Sequence, residues 1–134
     1  MERLPALLDA LPHAVALTVG EGPIRVAHPR LRALGQLDEA GVADAAAAMD
    51  VALAPYAADA PPWFCPLKVL AYRAQGTPVV ATDVGDCRLL VGDAGTVLPA
   101  DASDAALAEA AAAWAGRRPA PWVRRWADVV AEAG

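Results

Sequence analysis

The chain has 134 residues, of which 57% are hydrophobic and 20% charged, with a formal net charge of −5. That length suits a single domain with its own core, and the composition is far from that of disordered chains. The acidic balance argues against nucleic acid as a partner, because non-specific binding needs a basic footprint; a local basic pocket for one phosphate stays open.

No uninterrupted apolar run reaches the ~20 residues that cross a bilayer. Residues 1–11 are too short, and too broken by charge and proline, for a signal peptide. The expectation is a soluble, cytoplasmic protein without a membrane span. Cys65 and Cys87 have no metal-ligand spacing. In such a compartment they are expected as two reduced thiols rather than a disulfide.

The chain opens with a helix, because Leu4, Leu7, Leu8 and Leu11 recur at helical spacing and Pro12 ends it. Residues 15–19 form a continuous apolar run that stops at Gly20-Glu21-Gly22-Pro23, which predicts a buried strand and a turn. Residues 30–34 read as a short helix leading into a brief edge strand at 35–37. A helix from Asp38 or Glu39 through Ala48 turns Val42, Ala45, Ala46 and Met49 inward. Residues 51–54 form the next buried strand, closed by Pro55.

The Ala-Asp-Ala-Pro-Pro run within 56–64 holds a loop. Pro66 suits the first position of a helix with Leu67, Leu70, Ala71 and Ala74 as its buried stripe, and Gly76 caps its end. A strand follows at 79–81, then a loop with Asp83 and Gly85 and a short helix at 87–91. Gly92 to Gly95 turn the chain into a strand at 96–98. Ser103 and Asp104 start a helix with Leu107, Ala110, Ala111 and Trp114 on its face. A closing helix spans about 122–133, with Trp122, Trp126, Val129, Val130 and Ala133 on one side.

Strands that are apolar throughout, alternating with helices, predict an α/β domain: a Rossmann-like, doubly wound parallel sheet covered on both faces. Such a sheet begins with a strand, and this chain begins with a helix. The first strand is therefore expected to be missing, supplied elsewhere, or replaced.

Ligands of such sheets bind at the carboxyl ends of the strands. Three loops qualify: Gly20 to Pro23, Tyr56 to Pro66, and Thr82 to Asp86. The start of the Pro66 helix offers the backbone N–H groups of Cys65, Leu67 and Lys68 for a phosphate, with the Lys68 ammonium nearby. The plainer alternative is a proline that starts a helix and a solvated lysine. Asp83 and Asp86 are more simply read as solvated than as metal ligands, and no metal is expected. His13 and His28 have no nucleophile beside them in sequence and read as surface or capping residues. Trp114, Trp122 and Trp126 read as core, whereas Trp63, in the proline-rich loop, is free to face a ligand. Catalytic residues cannot be assigned.

Several segments together resemble the C-terminal, donor-binding domain of group 1 (family 4) retaining glycosyltransferases, which have the GT-B architecture. Val19-Gly20-Glu21-Gly22-Pro23 resembles that family's Val-Gly-Asp-Gly-Pro turn. The run Ala48 to Pro55 resembles its Ala-Asp-Val-x-Leu-x-Pro segment. Cys65-Pro66-Leu67-Lys68 with Gly76-Thr77-Pro78-Val79-Val80-Ala81-Thr82 resembles its Ser-Pro-Leu-Lys helix and following strand. The likeness covers nearly the whole chain. It implies one donor-binding domain over 1–134 and transfer of a sugar from a nucleotide-diphosphate sugar with retention of configuration. It implies no further cofactor. The donor would lie at Phe64, Cys65, Pro66, Leu67 and Lys68, and Gly20, Glu21 and Gly22 would approach its base or phosphates.

Two departures bear on activity. The family's ribose-binding glutamate falls at Ala71, and its companion falls at Trp63. Loss of a charge-assisted hydrogen bond costs about 1.5–3 kcal/mol, or roughly 10- to 150-fold in affinity. The segment carrying the family's phosphate-binding Arg and Lys, and the acceptor domain, have no counterpart in the chain. The expectation is therefore half of an enzyme, inactive alone, that works with a partner chain or as a homodimer through the exposed sheet edge. The alternatives are a catalytically dead pseudoenzyme acting as a scaffold, or a flavodoxin-like domain with another ligand.

Overall fold

The computed structural model describes residues 3–20, 26–61 and 63–133, with Trp126 described by its backbone alone. The elements in chain order are α1 (Leu4–Ala10), β1 (Ala16–Thr18), β2 (Leu31–Ala33), α2 (Glu39–Ala48), β3 (Ala52–Ala54), α3 (Leu67–Ala74), β4 (Val79–Thr82), α4 (Cys87–Val91), β5 (Gly95–Leu98), α5 (Asp104–Trp114) and α6 (Trp126–Ala133).

Every strand pairing is parallel. The strands form not one sheet but two: β1 with β2, and β3-β4-β5 with β4 in the middle. In β3-β4-β5 the apolar strands alternate with helices α3 and α4, whose crossovers allow the parallel ladder.

β4 shows the layering. Val79 and Ala81 point into a cluster with Ala54, Val69, Cys87, Leu90 and Val91, so α3 and α4 cover that face. Val80 points the other way, toward Leu7, Leu107 and Ala108, so α1 and α5 cover the opposite face. α2 lies beside α3, held by the buried Thr77 hydroxyl, which donates to the Ala46 carbonyl at 2.6 Å. Asp38 and Ser103 cap α2 and α5, accepting from Gly41 and Ala106 N–H groups at 2.7 and 3.1 Å. Such caps each contribute about 1 kcal/mol.

The structure corrects the sequence reading at several places: besides the division into two sheets, the strand expected to be buried at 15–19 is the half-buried β1, with Val15 and Val19 exposed. Residues 30–34 contain β2, not a helix, and 35–37 form no strand. Helix propensity in Leu31-Arg32-Ala33 is overridden by pairing with β1 and by an anchor. The anchor is the Arg30 guanidinium, which donates to the carbonyls of Leu8, Leu11 and Ala14 at 2.6–2.8 Å and ties the start of β2 to the end of α1.

The buried position of α3 is Val69, fully enclosed, while Leu67 is 69% exposed. At the end of that helix, Gly76 adopts φ +68, as a terminating glycine does. The closing helix begins at Trp126, leaving Trp122 in an extended segment that bonds to α3: its N–H donates to the Arg73 carbonyl at 2.9 Å. Trp114 and Trp122 are half-buried, each covered by an arginine, Arg117 and Arg73, at 4.3 and 4.4 Å from the ring centroid. The side chain of Trp126 lies outside the described residues.

Candidate functional site

The carboxyl ends of β3 and β4 and the start of α3 converge. Tyr56 follows β3, and its carbonyl accepts from the Thr82 hydroxyl at the end of β4, at 2.8 Å. The Tyr56 ring meets Phe64 edge-on, with centroids 4.7 Å apart, and lies 5.6 Å from the Lys68 ammonium. The Phe64 carbonyl accepts from the Asp86 N–H at 3.3 Å. Gly85, at φ +54, packs so tightly there that a Cβ would sit 2.1 Å from the Phe64 oxygen. Glycine is required twice over at this position, for the backbone conformation and for the close approach. Two of the three loops singled out by sequence are thus bound into one unit.

Within that unit Pro66 is buried, Phe64 half-buried, and Cys65, Leu67 and Lys68 exposed. Three N–H groups were candidates for an anion. The Leu67 N–H is already donated to the Cys65 carbonyl at 3.0 Å, and the next N–H along, that of Val69, goes to the Pro66 carbonyl at 3.0 Å. Among the described residues, those of Cys65 and Lys68 have no backbone partner outside the helix. Pro66 supplies no side-chain cap, so the positive end of α3 opens onto Lys68.

Acidic groups stand close by. Asp83 is held by Arg88 at 2.9 Å, and Asp86 precedes α4. Among the described residues no three of His, Cys, Asp and Glu gather as metal ligands.

Burial pushes the Tyr56 phenol up to about 12, with Cys87, Tyr72 and Cys65 adding to the rise. Burial also raises the Tyr72 phenol and the thiol of Cys87, which is fully enclosed. The two cysteines are unbonded to each other. Trp63 is 82% exposed at the rim.

Gly20 belongs to the other sheet. It follows β1 at φ +139, and among the described residues nothing lies within 4 Å of where a Cβ would sit; its N–H donates to the Gly35 carbonyl at 2.9 Å. Glu21 and Gly22 lie outside the described residues. His28 serves a local turn: Nδ1 accepts from the Arg30 N–H at 3.1 Å, and Nε2 faces Asp9 at 3.3 Å. Tyr56 and Thr82 opened two of the candidate loops in the sequence reading, which gave neither a role of its own. Their signal was position alone, at the ends of two apolar strands.

A groove of about 450 Å³ lies elsewhere, near the ends of α3 and α5, and is lined in part by Arg73, Arg118 and Trp122. Its arginines are committed to structure. Arg118 donates to the carbonyls of Ala47, Met49 and Gln75, and Arg73 donates to Leu90. These are helix carboxyl ends, where the partial charge is negative and an anion is disfavoured. The Phe64–Lys68 unit is the better candidate.

Domains of this Rossmann-like parallel α/β class bind their ligands at the carboxyl ends of the strands. A profile of the family described as "Glycosyl transferases group 1" matches residues 1–116. The chain belongs to that family.

Among solved structures the fold is similar to that of Anabaena HepE, crystallised in complex with UDP-glucose. The TM-score is 0.55 at 22% identity, over 85% of this chain and 40% of that one. This chain therefore spans well under half of that relative's length. No curated protein sequence matches it.

Proposed function

We propose that the chain is the donor-binding half of a nucleotide-sugar-dependent, retaining glycosyltransferase of GT-B architecture, inactive without an acceptor-binding half. The observation that carries this is the unit at the carboxyl ends of β3 and β4. There the start of α3 and Lys68 are locked to the Gly85 loop through Phe64. A diphosphate suits that electrostatics, and membership of a glycosyltransferase family supports a nucleotide-diphosphate sugar as its source. HepE binds UDP-glucose, so uridine is the first base to try.

In this reading 1–134 is one domain closed by α6. Gly20, Glu21 and Gly22 serve the donor's base or phosphates, as the resemblance implies, and the domain acts in the cytoplasm. A partner chain with the acceptor half, or a second copy joined at an open sheet edge, completes the enzyme. Ala71, where the family carries a glutamate, favours a second reading: a pseudoenzyme that keeps the fold as a scaffold.

Calorimetric titration with UDP, GDP and their sugar conjugates separates the two. Saturable binding that weakens about tenfold in Lys68→Ala is expected, the effect of losing one charge-assisted contact. A well-folded sample that binds none of them would sink the donor reading and leave the scaffold.

A further inference from the structure

We propose that Tyr56 is a positioning residue for the donor: its ring holds the Lys68 ammonium at the start of α3, where that charge meets the diphosphate. The proposal rests on the donor reading above for the identity of the anion.

Lys68 needs such a hold. It follows Leu67, the first residue of α3, and is exposed. Among the described residues its ammonium forms no ion pair. A free lysine stem samples many rotamers, and binding an anion requires most of that freedom to be given up. A contact that restricts the stem beforehand lowers the loss on binding. The Tyr56 ring supplies one, since its centroid lies 5.6 Å from Nζ, within the ~6 Å reach of a cation–π attraction.

Tyr56 can hold because it is itself held. Its N–H donates to the Ala54 carbonyl at 3.0 Å, and its carbonyl accepts from the Thr82 hydroxyl at 2.8 Å. Its ring packs against the core cluster of Val69, Cys87 and Leu90. The ring also meets Phe64 at an interplanar angle of 70°, and the Phe64 backbone is locked to Gly85. Rigid contacts therefore run from the ends of β3 and β4 to the ammonium. Burial, with Cys87 and Tyr72 beside it, raises the phenol to about 12, so the ring is neutral wherever a diphosphate is bound.

The direction of the pull matters. Tyr56 follows β3, so its ring draws the ammonium toward the carboxyl ends of the strands, the side on which such sheets bind ligands. There the charge stands beside the N–H groups of Cys65 and Lys68, which among the described residues have no backbone partner outside the helix. The ring takes one side of the ammonium and leaves the other for phosphate oxygens.

Proton NMR of the full chain reads the contact without ligand. The ring should shift the Lys68 ε-methylene protons upfield, an effect kept in Tyr56→Phe and lost in Tyr56→Leu. Calorimetric titration with UDP reads the consequence. Tyr56→Leu should weaken UDP about two- to fivefold, the size of an exposed cation–π contact, and Tyr56→Phe should bind like the wild type. In a Lys68→Ala background, Tyr56→Leu should cost nothing further. Site-specific fluorination of the ring in Tyr56→Phe drains its face with little change in packing. UDP affinity should then fall with each added fluorine, a result that holds even where Tyr56→Leu fails to fold. Three results overturn the proposal: an unshifted ε-methylene in the wild type, no response to fluorination, or equal weakening by Tyr56→Leu with and without Lys68, the mark of a merely structural tyrosine. A wild type that shows the shift but binds no UDP sinks the donor reading and the positioning role with it, and leaves the contact standing.

Discussion

β1 with the Val15 before it, and β4, are similar sequences, Val-Ala-Leu-Thr against Val-Val-Ala-Thr, in different surroundings. Every residue of β4 is buried, whereas those of β1 are half-buried and the flanking Val15 and Val19 are exposed. β4 has a strand on each side and helices on both faces; β1 has one neighbour. A strand's burial is set by how many partners it finds, and its own apolar content only permits it.

The sharpest way to break that contrast uses glycine. A Cβ at Gly95 in β5 would lie 1.8 Å from the Val79 carbonyl oxygen, which is backbone and cannot swing aside. Gly95→Ala should cost more than about 3 kcal/mol in urea unfolding. Gly35 follows β2 at φ +70 with nothing among the described residues within 4 Å of a Cβ, so Gly35→Ala should cost only the left-handed backbone term, about 1–2 kcal/mol. Equal losses would mean that the two sheets are equally tight.

Leucines give a milder version. Leu107 is fully buried between β4 and α1, so Leu107→Ala should lose about 2–5 kcal/mol. Leu17 in β1 is half-buried, and Leu17→Ala should lose less than half as much. A larger loss at Leu17 would show that the β1–β2 pair contributes more than its exposure suggests.

A smaller effect comes with alkali. The fold holds Tyr56 neutral, at a value raised from 10.0 to about 12. An unfolded chain gives up that proton near pH 10, so the unfolded state gains on the native one as pH climbs. The stability tied to Tyr56 is complete below about pH 10 and drains away as pH approaches 12. Solvent screens part of it, since the residue is only half-buried. Tyr56→Phe should move the midpoint of alkaline unfolding upward, with Tyr72 still supplying part of the slope. An unchanged midpoint would mean the phenol is solvated.

Local patterns carried most of the fold. β3, β4, α2, α4 and α5 follow from apolar runs, caps and glycines that act within a few residues. Residues 30–34 did not, because the Arg30 anchor reaches 16 to 22 residues back to α1, and no window of sequence contains both ends. The division into two sheets was legible only as a missing first strand. Whether β1 pairs with β3 is decided between residues more than 30 positions apart, beyond any local window. At the site, Pro66 and Lys68 were visible in sequence. The lock between Gly85 and Phe64 was not, since it joins residues from two loops through backbone atoms that sequence does not vary.

The two cysteines sharpen the contrast at the smallest scale, since they flank the same unit and differ only in enclosure. Cys65 is exposed at the start of α3, while Cys87 is fully buried, with its thiol raised by burial. A thiol reagent at neutral pH should label Cys65 at once and Cys87 at least about a hundredfold more slowly, because attack on Cys87 must wait for the core around α4 to open. Equal rates would mean that this core is loose, and the lock through Gly85 with it. Saturating UDP should then slow labelling at Cys65 alone, if the diphosphate covers the helix start. Binding detected by calorimetry without that protection would move the donor off α3, toward the Gly20 turn, and would leave Lys68 a surface residue.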